Sequence, residues 1–238
     1  DVGINRREKK PDGKIVLGNN PEGPKDREVI VVRLDAVDGT PLAAMVNYAC
    51  HPVCQRHSAR AISGDYIAPM RDLVENAVGA KCLYLQGACG NVNPALMDHS
   101  FEPAEQSGKQ LGEAVLKVFN DITPSDAAGV VSTAARIDFP ALTFGSEEEA
   151  RQKIKAIEEK LANLEKWKSP EGRIKREQGL LEQANAALES IGKGETLPGV
   201  VGEIATLRFG DVALVMTPGE VFAQIGIQIK QSSPLADT

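Results

Sequence analysis

The chain has 238 residues, 42% of them hydrophobic and 25% charged, with a formal net charge of −6. That length and apolar fraction supply the core of one large domain or two small ones, and the expected class is α/β, a mixed β-sheet flanked by helices. Lys and Arg are scattered rather than striped, which argues against nucleic acid as a partner, and no apolar run approaches the roughly 20 residues of a membrane-spanning helix.

Residues 1–27 carry Asn, Pro, Gly and mixed charge with little periodicity, and read as an irregular arm. Glu28 to Asp35 reads as a strand and Leu42 to Ala49 as a second, joined through Asp38-Gly39, a pair that tolerates the positive φ of a tight hairpin turn. Apolar residues at 67, 70, 73, 74, 77 and 78 mark a helix over 66–78, and those at 108, 111, 115, 118 and 119 mark another over 105–119. Between them Cys82 to Gln86 forms a strand, and a further β segment is expected over 129–139. Ser146-Glu147-Glu148-Glu149 is a capping-box pattern that starts a helix carrying Ile154, Ile157, Leu161 and Leu164 on one stripe. Ser169-Pro170-Glu171-Gly172 breaks it, and Ile174, Leu181, Ala184, Leu188 and Ile191 form a second stripe. Residues 146–193 are therefore expected to be an antiparallel helical hairpin inserted into an α/β domain made of 1–145 and 195–238. The hairpin's charges suit a solvated face, or contact with a protein partner or a second copy. Glu203 to Phe209 and Val212 to Met216 make a second β-hairpin, and Val221 to Lys230 a closing helix.

Three strands end in polar, turn-forming residues: at Asn47-Tyr48-Ala49-Cys50-His51-Pro52, at Gly87-Ala88-Cys89-Gly90-Asn91-Val92-Asn93-Pro94, and at Thr217-Pro218-Gly219-Glu220. Ligands of open α/β sheets sit at the carboxyl ends of strands, so these tips are expected to form one site. His51 with Glu220 is a ligand combination suited to catalytic zinc, although His51 alone also fits a hydrogen-bonded structural role and Glu220 a helix-terminal charge. Gly87-Ala88-Cys89-Gly90-Asn91 lets backbone N–H groups approach a ligand as an oxyanion hole does, or serves as a tight turn. Cys50, Cys54, Cys82 and Cys89 lack paired metal-ligand spacing and read as buried free thiols. A nucleophilic Cys89 needs a histidine base that sequence does not place beside it, and a zinc knot of Cys50, His51 and Cys54 is opposed by the alternation of side chains along a strand.

At these residues the chain resembles the catalytic domain of the neutral/alkaline ceramidase family. The resemblance rests on Asn47 to Pro52, Gln86 to Pro94 and Pro218-Gly219-Glu220-Val221-Phe222, in that order, and on the opening Gly3-Ile4-Asn5-Arg6-Arg7. It spans roughly residues 1–120 and 200–234. It implies a zinc amidohydrolase whose metal is held by two histidines, a glutamate and a tyrosine. His51 matches the second histidine and Glu220 the glutamate. The first histidine is expected upstream of Asp1 and the tyrosine beyond Thr238, so the chain is expected to be a fragment with half a metal site, completed by solvent, His57 or a second chain. The family serine is replaced by Asn93, a poor nucleophile but a competent hydrogen-bond donor, which leaves a zinc-activated water as the attacking group. The expected roles are zinc on His51 and Glu220, oxyanion stabilisation at Gly90 and Asn91, and substrate orientation by Arg6, Asn5 or Asn93. The implied substrate is a small or lipid-like amide, not necessarily ceramide, and the implied location is secreted or periplasmic. The alternative is a catalytically inert scaffold that uses the hairpin for partner contacts.

Overall fold

The computed structural model describes residues 1–56, 61–126, 129–141, 144–197 and 199–235. The order is β1 (Gly3–Lys9), β2 (Ile15–Asn20), β3 (Ile30–Asp35), β4 (Pro41–Tyr48), α1 (Ile67–Val78), β5 (Lys81–Gln86), β6 (Val92–Pro94), α2 (Glu102–Asp121), β7 (Val130–Phe139), α3 (Glu147–Lys166), α4 (Glu171–Lys193), β8 (Val200–Phe209), β9 (Val212–Met216) and α5 (Ala223–Ser232). The class is mixed α/β, as expected, but the strands divide into three sheets rather than one: β2-β1-β6, β3-β4-β5 and β7-β8-β9.

The central sheet follows from the sequence pattern. β3 and β4 pair antiparallel across the Asp38-Gly39 turn, and the crossover through α1 brings β5 parallel to β4, with Tyr48 opposite Gln86. The even positions of β4 (Ala44, Val46 and Tyr48) are buried in one core with Cys82, with Met70 and Val74 of α1, and with Leu111, Val115 and Phe119 of α2. The odd positions Met45 and Asn47 face a cleft on the other side. The core thus fixes the register of β4 and β5, because a one-residue slip would turn the apolar set into that cleft.

The arm expected over 1–27 is instead ordered as β1 and β2. β1 pairs antiparallel with β2 and with β6, placing Ile4 opposite Asn93 and Asn5 opposite Val92. The buried positions of β1 include Gly3 and Asn5 rather than large apolar side chains, so hydrophobic periodicity carries no trace of the strand. Asn5 is 1% exposed, donates from Nδ2 to Pro24 O at 2.7 Å, and accepts from Arg7 N at 2.8 Å.

The chain divides into two compact units, 1–133 with 205–238, and 134–204. Within the second, Ser146 Oγ accepts from Glu149 N at 3.1 Å, while the Glu149 carboxylate accepts from Gly145 N at 2.8 Å, starting α3. Turn residues Trp167 to Pro170 lead into α4, which packs on α3 through Ala150, Ile157, Ala184 and Ala187. Lys160 and the buried Glu177 pair across the helices at 2.6 Å. No described helix is long and apolar enough to cross a membrane.

Candidate functional site

The first unit carries a cleft of about 610 Å³ whose lining includes His51, Cys89 and Glu220. Its walls are apolar: Val32, Met45 and Leu85 from the central sheet, Val212 and Leu214 from β9, and Ile229 from α5. The three predicted strand tips do converge here, although β9 belongs to a different sheet from β4 and β5.

His51 is held by the backbone on both sides of β4's end. Its N–H donates to Val92 O at 3.1 Å, and the preceding carbonyl, Cys50 O, accepts from Tyr66 Oη at 2.6 Å and from Gln86 Nε2 at 3.0 Å. Tyr84 Oη meets Tyr66 Oη at 2.8 Å and donates to Tyr48 O at 3.0 Å. Burial pushes the Tyr66 and Tyr84 phenols well above their ordinary range, which keeps them neutral donors beneath the histidine.

The imidazole side chain is 14% exposed. Nδ1 lies 3.4 Å from Cys89 Sγ, so the fold supplies the Cys–His proximity that sequence spacing could not show. Nε2 is buried without a hydrogen-bond partner, 3.7 Å from Glu220 Oε2. Burial, reinforced by the nearby Arg6 charge and opposed by Glu220, lowers the histidine's pKa, so the ring is neutral near pH 7. Burial likewise pushes the Cys89 thiol up to about 11, with Glu220 adding to the rise and Arg6 opposing it.

Glu220 is fixed by backbone contacts while its carboxylate stays 72% exposed. Gly219, at φ +79°, turns the chain ahead of it. Gly90 N donates to Val221 O at 2.8 Å, and a Cβ on Gly90 would stand 2.2 Å from Glu220 O. Asn91 Oδ1 accepts from Ala223 N at 2.8 Å, at the start of α5, and its Nδ2 donates to Gln224 Oε1 at 2.9 Å. Gly90 and Asn91, expected to stabilise an oxyanion, therefore hold the Glu220 turn, and the Gly90 N–H is already engaged. Arg6 donates to Gly90 O at 2.8 Å and to Asn93 Oδ1 at 3.3 Å, and its guanidinium lies 3.6 Å from Glu220 Oε2. Arg6 and Asn93 thus belong to the cluster, whereas the amide of Asn5, expected beside Arg6 as a substrate contact, is bonded within its own sheet and arm. The Arg7 guanidinium, not anticipated, lies 5.0 Å from the centre of the Phe222 ring and braces the same turn.

The ligand question can be tested on His51 and Glu220. An orphaned imidazole nitrogen beside a carboxylate oxygen suits two neighbouring positions of a zinc shell, whose ligand atoms stand roughly 3.3 Å apart. Among the described residues no group of three metal-ligating side chains occurs, and His57 lies outside them. His51 and Glu220 could therefore supply two positions of such a shell.

This α/β arrangement, with its cleft at convergent strand ends, has the ceramidase-type fold. The chain resembles neutral ceramidase from Pseudomonas aeruginosa with a TM-score of 0.61 at 14% identity, over 97% of this chain and 40% of that one. It also resembles a ceramidase complexed with C2, with a TM-score of 0.60 at 15% identity, over 97% of this chain and 42% of that one. The chain thus spans about two fifths of the length of these structures. By sequence it matches no protein-family model and no curated protein.

Proposed function

We propose that this chain contributes half of the catalytic centre of a ceramidase-like, zinc-dependent hydrolase that cleaves an amide or related bond in an apolar, lipid-like substrate. The observation that carries the reading is the unpartnered His51 Nε2 at 3.7 Å from Glu220 Oε2, in the lining of a largely apolar cleft. The likeness of fold to neutral ceramidase supports it. Zinc, when bound, supplies Lewis-acid polarisation of a carbonyl and an acidified water. His51, neutral near pH 7, offers its Nε2 lone pair, and Glu220 offers a carboxylate held in place by its backbone. Arg6 is the cation in reach of charge developing on a substrate oxygen, and Asn93, bonded to Arg6, orients it. The walls formed by Val32, Met45 and Leu85 take the apolar part of the substrate. An exported location, secreted or periplasmic, and a partner contact through 146–193 complete the proposal.

Calorimetry with zinc on this chain, and on longer polypeptides that include it, tests the reading. His51→Ala and Glu220→Ala are each expected to weaken binding at least tenfold. Binding indifferent to both changes would overturn the metal site and leave an inert scaffold of ceramidase fold as the better account.

A further inference from the structure

We propose that Cys89 is a positioning residue for His51: its thiol pairs with Nδ1 whichever ring nitrogen carries the proton, and so keeps Nε2 directed at Glu220. The geometry is specific. Sγ lies 3.4 Å from Nδ1, Cys89 is 5% exposed, and its carbonyl accepts from Val92 N at 2.8 Å while the following Gly90 N–H is bonded to Val221 O. The backbone that carries the sulfur is therefore fixed by the turn that also carries Glu220, and the thiol is buried against the ring. On the other side of the ring, Nε2 has no hydrogen-bond partner and faces the carboxylate at 3.7 Å.

A neutral imidazole has one donor and one acceptor nitrogen, so a partner for Nδ1 with a single role fixes one tautomer and excludes the other. A backbone carbonyl or a carboxylate would hold Nδ1–H only. A thiol both donates and accepts. In the metal-free chain the Glu220 carboxylate beyond Nε2 favours the proton there, and Cys89 S–H donates to Nδ1. When a cation takes the Nε2 lone pair, the proton moves to Nδ1 and donates to Sγ. The ring need not rotate between the two states, and the partner is the same atom in both. This purpose rests on the metal reading above, but the Cys89–His51 pairing itself does not.

The test is ¹⁵N NMR of the His51 ring in the full metal-free chain, for the parent, Cys89→Ser and Cys89→Ala, with His51→Gln to assign the signals. The parent and Cys89→Ser, whose hydroxyl also donates and accepts, are expected to show one dominant Nε2–H tautomer. Cys89→Ala is expected to keep that tautomer, which Glu220 favours, but to shift its Nδ1 signal toward that of an imidazole nitrogen without a donor. Zinc affinity, measured alongside, should fall about 10- to 100-fold in Cys89→Ala and stay within about threefold in Cys89→Ser, as for partners that orient a ligand. Ring shifts in Cys89→Ala identical to the parent's would overturn the proposal. So would a Cys89→Ser that behaves as Cys89→Ala, which would make sulfur volume the cause. A cobalt complex with a sulfur charge-transfer band lost in Cys89→Ser would also overturn it, by making Cys89 a ligand. If even the parent binds no zinc, the metal reading fails while the ring shifts still decide the pairing.

Discussion

The unit that carries the cleft and the unit that carries the helical hairpin stabilise themselves by opposite means. Around the cleft, backbone approaches side chain and backbone so closely that small or bonded groups are required: Gly90 under the Glu220 carbonyl, Asn91 on the first turn of α5, the Tyr66 and Tyr84 hydroxyls on the backbone that leads to His51. In the hairpin few residues are fully buried, and its surface is tied by i,i+4 pairs such as Arg151–Glu147 and Lys175–Glu171. Such exposed pairs contribute roughly 0.3–0.5 kcal/mol each, so the hairpin tolerates change at most positions. The cleft tolerates little, because each contact there fixes two elements at once. Over-determination of this kind is what a ligand site needs, since a side chain misplaced by about 1 Å can cost two orders of magnitude in rate.

Substitutions of similar size should separate the two regions. The largest effect is expected from Gly90→Ala, whose Cβ would collide with Glu220 O and the Phe222 ring. A loss of about 3 kcal/mol in urea denaturation is expected, together with weakened zinc binding. Unchanged stability would show that the Glu220 turn is not clamped. The contrasting change is Gly179→Ala in the interior of α4, where an added Cβ meets nothing within 4 Å. It should stabilise the hairpin by about 0.5–1 kcal/mol, and any loss would break the comparison.

Tyr66→Phe removes the hydroxyl that serves Cys50 O and Tyr84 Oη, and should lower stability by about 1–3 kcal/mol by leaving buried polar atoms short of a partner. It should weaken zinc binding as well, because Cys50 O leads directly into His51. In the hairpin, Ser146→Ala removes the cap on Glu149 N and should cost about 1 kcal/mol, visible in circular dichroism melting, with zinc binding untouched.

The smallest effect concerns pH. Lys230 lies 2.8 Å from Asp26 and 2.7 Å from Glu28, and although burial lowers its pKa, the bonds to those carboxylates outweigh burial and raise it. A raised folded-state pKa gives stabilisation that is complete below about 10.4, the unfolded value, and is lost as pH rises through the folded value. Lys230→Gln should therefore flatten the alkaline decline of stability relative to the parent, with little change in slope near pH 7. An identical decline in both proteins would show that this cluster does not anchor α5.

The elements legible in the sequence were those whose signals are local. The stripe at 67, 70, 73, 74, 77 and 78 gave α1, the Asp38-Gly39 turn gave the β3–β4 hairpin, and Ser146 with Glu149 gave the start of α3. β1 stayed hidden because Asn5 and Gly3 occupy its buried face, and a polar or absent side chain leaves no hydrophobic period. The expected helix at Val221 begins instead at Ala223, where Asn91 from another element bonds its first turn.

At the site, sequence alone named the residue types and the strand-end placement of His51, Cys89 and Glu220, because turn-forming residues after apolar runs are a local pattern. Only the tertiary structure decided who meets whom. Residues 51, 89 and 220 are brought together by the parallel pairing of β4 with β5 and by the bonds from Gly90 and Asn91 to the start of α5. It also turned Gly90 and Asn91 into braces and made Cys89 a neighbour of His51 at 3.4 Å. Hydrogen bonds between residues more than a hundred positions apart have no period and no spacing, so they exist only once the chain is folded.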